Sequence, residues 1–119
     1  MKLSPHFDSD EFKCRCSCGL DEVDPRLIET LEIMRATTGP LVINSGCRCE
    51  RWNTAVDGSE LSAHMTGEAA DIRTLGSKER YQVVASAILA GCTRIGVGRT
   101  FVHVDVSRDL PQFVVWLYN

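Results

Sequence analysis

The stretch SAHMTGEAAD, residues 62–71, decides the fold of this chain together with FVHVD, residues 101–105. The two segments hold His64, Asp71 and His103, and two imidazoles with one carboxylate can bind zinc in three corners of a tetrahedron. Asp71 lies in an apolar run, where a carboxylate is costly unless it is paired or bound to metal. The three residues are too far apart in sequence for the one-helix histidine pair of an HExxH site. The pattern therefore predicts a zinc site that tertiary folding assembles from separate segments.

These residues belong to a longer pattern. The motif S-x-H-x-x-G-x-A-x-D is matched at positions 62–71, an upstream S-G-x-R is matched at positions 45–48, and a late strand histidine is matched by His103. In these positions the chain resembles the D-alanyl-D-alanine carboxypeptidase-like zinc peptidases, a family that shares its fold with the hedgehog signalling domain and cuts bacterial cell-wall peptides. The likeness runs from Phe12 to Trp116, and it looks closest to the short stand-alone members found among phage lysis enzymes.

The resemblance implies one catalytic zinc ion with His64, Asp71 and His103 as ligands, and Arg48 as the group that stabilises the charge of the tetrahedral intermediate. It implies amide hydrolysis in stem or cross-bridge peptides of peptidoglycan, either by a D-Ala-D-Ala carboxypeptidase or by an endopeptidase. A phage or prophage endolysin is the expected setting. The alternative is a catalytically silent zinc-binding module, because the hedgehog domain resembles this fold without depending on peptidase activity.

The residue expected to act as the general base, which activates the attacking water, departs from the family pattern. Many relatives carry an acidic residue three positions before the last histidine, where this chain has Thr100. Asp105 is the substitute, because it lies on the same strand face as His103 at roughly 6 to 7 Å. It would activate water, orient a ligand, or replace His103 as the third ligand. Ser62 and Asn53 are expected to support the site or to contact substrate.

Six cysteines are many for a chain of 119 residues, and five of them form two tight clusters. Two interpretations stay open: free or disulfide-bonded thiols, or a second, structural zinc bound by four thiolates. A zinc-thiolate interaction module is a third candidate function. Cys92, alone in an apolar setting, is expected to be a small buried hydrophobic residue. The candidate structural cysteines are Cys14, Cys16, Cys18, Cys47 and Cys49.

Helix and strand signals predict an α+β domain, with a central antiparallel sheet and flanking helices. Asp24-Pro25 indicates a helix start, and Gly39-Pro40 indicates its end. Its buried face is expected at Leu27, Ile28, Leu31 and Met34. A second helix is expected from Ser77, with Tyr81, Val84, Ala85, Ile88 and Leu89 on one face. Strands are expected at residues 41–44, 69–73, 93–98 and 101–106.

Composition limits the partners. A chain of 119 residues with 44% hydrophobic content fits one domain over residues 1–119, and a monomer is expected. The net charge of -3 gives no basic surface for nucleic acid, and no apolar run has membrane-spanning length. The first residues lack the apolar core of a signal peptide. We therefore expect synthesis in the cytoplasm and action on the cell wall after phage lysis or export.

Overall fold

A five-stranded sheet forms the centre of the fold in the computed structural model, which describes residues 1–118. Four strands pair antiparallel, and the fifth pairs parallel with its neighbour at one edge. The predicted α+β class is confirmed, but the sheet is mixed rather than wholly antiparallel. Residues 106–113 pass the N-terminal end of the strand Arg94–Val97, and the last strand therefore runs parallel to it on its other side. In spatial order the strands are β3 (Ile43–Ser45), β4 (Ala69–Arg73), β6 (Phe101–Asp105), β5 (Arg94–Val97) and β7 (Val114–Leu117).

Helix α1 (Pro25–Thr38) follows the sequence signals closely. Asp24 is its N-cap, and the side chain of this residue accepts a hydrogen bond from the N–H of Arg26. The helix ends at Gly39, whose φ of 79° is a conformation that glycine adopts without strain. The predicted inward face is confirmed at Leu27, Ile28, Leu31 and Met34.

Helix α3 (Ser77–Leu89) begins where the sequence predicts, but its inward face is different. Val83, Ser86 and Ala87 are buried, whereas Tyr81 is 74% exposed and Leu89 is 80% exposed. The helix packs against α1 and β6. The predicted face was wrong for Tyr81, Ile88 and Leu89, which are exposed, whereas Val84 is partly buried and packs against the core cluster.

The alternation along β4 and β6 separates the core from the site. Ile72, Val102 and Val104 are fully buried in the main apolar cluster. Because successive side chains of a strand point to opposite faces, Asp71 and His103 lie on the other face of the sheet. This face carries the polar cluster described below.

The N-terminal hairpin, β1 (Lys2–Ser4) and β2 (Phe7–Asp8), is tied to α1 by one carboxylate. Glu32 accepts hydrogen bonds from the Ser4 hydroxyl at 2.6 Å and from the His6 N–H at 2.9 Å, and it contacts His6 Nδ1 at 2.8 Å. These contacts, the Ser4 hydroxyl first, lower the pKa of Glu32 to about 2. The remaining elements are the short helix α2 (Glu50–Ala55) and the 3-10 turns Ser9–Glu11 and Ala63–Thr66. None of the helices within residues 1–118 combines the length and the apolar character needed to span a membrane.

Candidate metal centre

Three separate elements supply the three predicted ligands. His64 lies in the 3-10 turn before β4, Asp71 lies in β4, and His103 is the direct partner of Asp71 on β6. One ligand atom from each residue lies within 4.8 Å of the others. All three residues are buried. The arrangement brings together residues that are far apart in sequence, as the tertiary-assembly prediction requires.

The separations between the ligand atoms match a small cation with nitrogen and oxygen ligands. Asp71 Oδ1 lies 3.2 Å from His64 Nε2 and 3.0 Å from His103 Nδ1. A tetrahedral zinc ion with bonds of about 2.05 Å places its ligands roughly 3.3 Å apart. The three side chains therefore fit zinc in both donor type and spacing, with a fourth position left for water or substrate.

Hydrogen bonds on the outer side of each imidazole fix which nitrogen faces the centre. His64 Nδ1 donates to the carbonyl oxygen of Gly46 at 2.6 Å, which leaves Nε2, next to Asp71, as the nitrogen that would bind a metal ion. His103 is oriented in the opposite sense, because its Nε2 contacts Asp105 Oδ2 at 2.7 Å and its Nδ1 faces Asp71. Such outer partners set the tautomer and raise the basicity of a metal-binding imidazole.

Asp105 lies behind His103 rather than beside the reacting position. Its side chain has no solvent exposure, and its Oδ1 accepts from Arg94 Nε at 2.7 Å and from the Ser107 N–H at 3.2 Å. Oδ2 is occupied by His103. Because both oxygens are engaged away from the open position, the geometry favours the orienting role predicted for Asp105 over the water-activating role and over direct ligation.

Burial and neighbouring charges oppose each other in this cluster. Burial favours a neutral Asp71, but hydrogen bonds from His103 and His64 outweigh it, and the pKa of Asp71 lies well below its usual range. Burial likewise favours a neutral His103, yet its contacts with Asp105 and Asp71 raise its pKa. The pKa of Asp105 is lowered, because the contacts with His103 and Arg94 exceed the effect of burial. Both carboxylates are therefore ionised at neutral pH, the form in which Asp71 binds a cation.

Arg48 reaches the cluster from the loop after β3. Its NH2 group lies 3.4 Å from Asp71 Oδ2, and its NH1 group donates to Asn53 Oδ1 at 3.2 Å. Asn53 is itself held by a bond from Nδ2 to the Ser59 carbonyl at 2.8 Å and is 3% exposed. Arg48 Nε is buried and makes no hydrogen bond with the described residues. Asn53 thus positions Arg48, and Arg48 keeps unused donors next to the candidate metal ligands.

The small residues of the two motifs have structural explanations. Ser62 is the N-cap of the turn that carries His64, and its hydroxyl accepts from the His64 N–H at 3.2 Å. Gly67 has a φ of 71°, and a side chain there would overlap the Glu22 carbonyl oxygen. A Cβ on Gly46 would lie 2.6 Å from the Cα of Phe12. These residues allow the His64 loop and the 45–48 segment to approach the N-terminal part of the chain.

A sequence profile of the peptidase M15 family matches residues 5–105. The match covers the three ligand candidates, Arg48 and most of the sheet. The chain belongs to the peptidase M15 family. Members of this family are zinc peptidases of the D-Ala-D-Ala carboxypeptidase-like type, so zinc peptidase activity is the function that the family supports. No curated protein sequence gives a significant match.

The M15 site opens into a cleft of about 550 Å³. Trp116 and Tyr118 form one wall, with ring centroids 5.3 Å and 6.5 Å from that of His103. Gly96 leaves room for them, because a Cβ there would lie 2.6 Å from ring atoms of both. Arg94 stacks over the Trp116 ring at 4.9 Å. The sequence did not single out Gly96, Arg94 or Tyr118, although Gly96 within an apolar strand is a signal of close approach.

Thr100, at the position where relatives carry an acid, lies outside this cleft. It is exposed in the β5–β6 connection and lines a separate depression. Among the described residues, the carboxylates that line the cleft are Asp71, Asp105 and Asp57. Asp57 is exposed and has a φ of 59°.

The structure regroups the cysteines of this M15 chain. Cys14, Cys16, Cys18 and Cys49 lie together, and all six cysteines are free thiols. Cys47 points elsewhere, because its Sγ donates to the Glu22 carbonyl at 3.1 Å and its side chain belongs to the core cluster. Burial raises the pKa of Cys47 to about 11, so this thiol is protonated at neutral pH. Cys92 is partly buried and packs against the core, close to its prediction.

Proposed function

We propose that this chain is a zinc metallopeptidase that hydrolyses amide bonds in the peptides of bacterial peptidoglycan. The observation that carries the proposal is the convergence of His64, Asp71 and His103 on one point at the floor of a cleft, with Arg48 beside them. Two imidazoles and one carboxylate are the ligand set of zinc sites that keep a position open for chemistry. The family match supports the peptidase class.

The roles follow from the contacts. Zinc held by these ligands would polarise the scissile carbonyl and lower the pKa of water. Arg48 uses two of its five N–H donors on Asn53 and Asp71, which leaves donors for a substrate carbonyl oxygen or carboxylate. Asp105 keeps His103 oriented. The exposed carboxylate of Asp57 is the remaining candidate for proton transfer in the cleft.

The cleft suits a short peptide with small side chains and a free or amidated carboxyl end. Its aromatic wall offers apolar contact, and Arg48 offers a forked donor that matches carboxylate geometry. D-Ala-D-Ala termini and stem or cross-bridge amides both meet this description. We therefore propose peptidoglycan peptides as the substrate class, with a DD-carboxypeptidase and an endopeptidase as the two forms of the activity.

The test measures zinc content and product release from purified peptidoglycan in parallel. His64→Ala should lose the metal of this site and release nothing. His6→Ala is the matched control, because His6 is an exposed histidine of the N-terminal hairpin that contacts Glu32 of α1. It should keep wild-type zinc content and activity.

The products distinguish the bond. Free D-alanine indicates a carboxypeptidase, whereas new amino termini within the stem or cross-bridge indicate an endopeptidase. If wild-type protein holds zinc at His64 and releases neither product from walls of several chemotypes, the peptidase proposal is wrong and a silent zinc-binding module replaces it. That outcome has a specific basis, since Thr100 is no acid and Asp105 is fully engaged.

We also propose that the protein acts as a phage or prophage endolysin on the wall of its own host cell. The support is the resemblance to short stand-alone lysis enzymes. Expression inside a bacterium should leave cells intact until a membrane pore is co-expressed, and should then lyse them. Lysis that needs no pore, or a pore that produces no lysis, would contradict this setting.

A further inference from the structure

Four thiols form a second cluster that the peptidase function does not use. Cys14, Cys16 and Cys18 come from the loop after the first 3-10 turn, and Cys49 is the residue before α2. We infer that these four cysteines bind a second zinc ion, with a structural rather than a catalytic role. No side chain is shared with the His64, Asp71 and His103 group.

The sulfur positions fit a single tetrahedral ion. Cys16 Sγ lies 3.5 Å from Cys14 Sγ and 3.4 Å from Cys49 Sγ, and all four sulfurs lie within 4.8 Å of one another. A zinc ion with Zn–S bonds of about 2.3 Å places its sulfur ligands roughly 3.8 Å apart. The two closest separations lie slightly below that value, and none of the others exceeds 4.8 Å.

Local backbone geometry gathers the first three thiols. The Ser17 N–H bonds to the Cys14 carbonyl at 3.4 Å, and Ser17 and Gly19 have φ values of 71° and 88°. The Cys14 N–H bonds to the Leu20 carbonyl at 2.8 Å and closes the loop. The two left-handed residues and the closing hydrogen bond fold the segment tightly, and Cys14, Cys16 and Cys18 lie together within it. This accounts for a C-x-C-x-C spacing in place of the usual C-x(2-4)-C pairs.

Main-chain donors already point at the sulfurs. The Cys49 N–H lies 3.4 Å from Cys14 Sγ, and the Trp52 N–H lies 3.4 Å from Cys49 Sγ. Outer hydrogen bonds of this kind orient metal ligands and stabilise their charged form. The sulfurs are thus held as acceptors, which suits thiolates bound to a cation.

The donor set favours zinc in a closed site. Four thiolates with no oxygen or imidazole form a soft, saturated set, and Cys₄ sites of this kind hold structural zinc. Cys14 is buried and Cys18 is exposed, so the cluster has an open side through which an ion can enter.

The second ion would fix the segment that carries Arg48. Cys49 follows Arg48 directly, the Arg48 N–H bonds to the His64 carbonyl at 2.9 Å, and the Cys47 N–H bonds to the Phe12 carbonyl at 2.8 Å. A metal link between residues 14–18 and Cys49 would therefore hold the N-terminal loop against this segment.

The experiment counts zinc in full-length protein purified under reducing conditions. Wild type should hold two equivalents, and Cys16→Ser and His64→Ala should each hold one. Cys92→Ser is the matched control, because Cys92 lies outside the cluster, and it should keep two. Replacement of zinc by Co²⁺ separates the sites, since a thiolate-to-cobalt charge-transfer band should persist in His64→Ala and vanish in Cys16→Ser.

A mercurial reagent covers the case in which Cys16→Ser fails to fold. In wild-type protein it should release one equivalent of zinc while a second stays bound until a chelator is added. The inference is overturned if reduced wild type holds a single equivalent that His64→Ala abolishes, or if the charge-transfer band is absent. Disulfides among the four cysteines in native protein, found by mass spectrometry together with one zinc, would overturn it as well. None of these readouts depends on hydrolysis, so a failed second site and a failed peptidase proposal are distinguishable.

Discussion

Replacing Asp105 with asparagine separates an orienting role from a water-activating role. Asparagine keeps the shape of the side chain but removes its charge and turns one acceptor into a donor. The two groups that contact its oxygens most closely are His103 Nε2 and Arg94 Nε, each at 2.7 Å. Arg94 Nε is a donor and His103 must donate to keep Nδ1 free, so an amide can satisfy only one of them.

The expected losses follow from these contacts. Outer partners of metal-bound histidines typically change metal affinity by about 10- to 100-fold, which corresponds to roughly 1.4 to 2.7 kcal/mol of zinc binding free energy. Removing one charge of a buried ion pair also costs about 3 to 5 kcal/mol of folding stability. We place the stability cost of Asp105→Asn near the lower limit, because the amide oxygen still accepts one hydrogen bond.

Competition with a chromophoric chelator measures zinc affinity, and thermal unfolding of the metal-free protein measures stability. Asp57→Asn is the matched control. Asp57 lines the same cleft as an exposed aspartate, and asparagine tolerates its φ of 59°. This variant should keep both zinc affinity and stability, and a loss of hydrolysis in it alone would identify the proton-transfer group.

One result would refute the orienting role. If Asp105→Asn binds zinc as tightly as wild type, remains as stable, and loses only hydrolysis, then Asp105 acts on the reacting water despite its burial. If Asp105→Asn binds zinc more weakly but unfolds at the same temperature as wild type, the stability cost expected from the ion pair with Arg94 is wrong.

Three further predictions test other parts of the structure. Gly67→Ala should lower the free energy of unfolding by about 2 kcal/mol or more, against about 1 kcal/mol for the unobstructed Gly19→Ala, as thermal unfolding would show. Glu32→Gln should lower stability above pH 4.5, and the difference from wild type should vanish as the pH falls toward 2, because a depressed carboxyl pKa stabilises the fold only while the group is ionised. Gly96→Ala should displace Trp116, seen as a change in its fluorescence and in KM for peptide substrates.

The sequence located the candidate ligands because each residue is unusual where it stands. Asp71 follows two alanines and precedes isoleucine in β4, and His103 stands between valines in β6. Burying such polar groups in an apolar strand is costly unless they are paired or bind a metal ion. Strand alternation predicted that His103 and Asp105 share one face of β6, whereas the pairing of Asp71 with His103 across two strands is a tertiary contact that the sequence did not specify. The N-cap and proline of α1 were equally local signals.

The remaining errors concern choices that depend on tertiary contacts. The face of α3 was predicted from the helical spacing of its apolar residues, whereas the residues that the fold buries include Val83 and Ala87, on the side that packs against α1. The cysteines were grouped by sequence proximity, which paired Cys47 with Cys49. These two residues flank Arg48 in a segment that is neither helix nor strand, and Cys47 enters the core while Cys49 reaches the thiol cluster.

The two halves of the candidate site depend on different supports. Asp71 and His103 are held by sheet register, which a core of valines and isoleucine stabilises. His64 and Arg48 lie on loops that rest on the N-terminal segment, since the Gly46 carbonyl that orients His64 lies where Gly46 packs on Phe12, and the Gly67 carbonyl accepts from the Asp24 N–H at 2.9 Å.

A second ion in the thiol cluster would act on the loop half alone. Its removal should weaken Arg48-dependent steps and the order of the His64 loop while the Asp71–His103 pair stays in place. Cys16→Ser should therefore reduce hydrolysis more than it reduces zinc affinity at the first site, whereas Asp105→Asn should reduce both. This difference between Cys16→Ser and Asp105→Asn would show that the loop half and the sheet half of the site are stabilised separately. If one support stabilised both halves, the two variants would lose zinc affinity and hydrolysis in the same proportion.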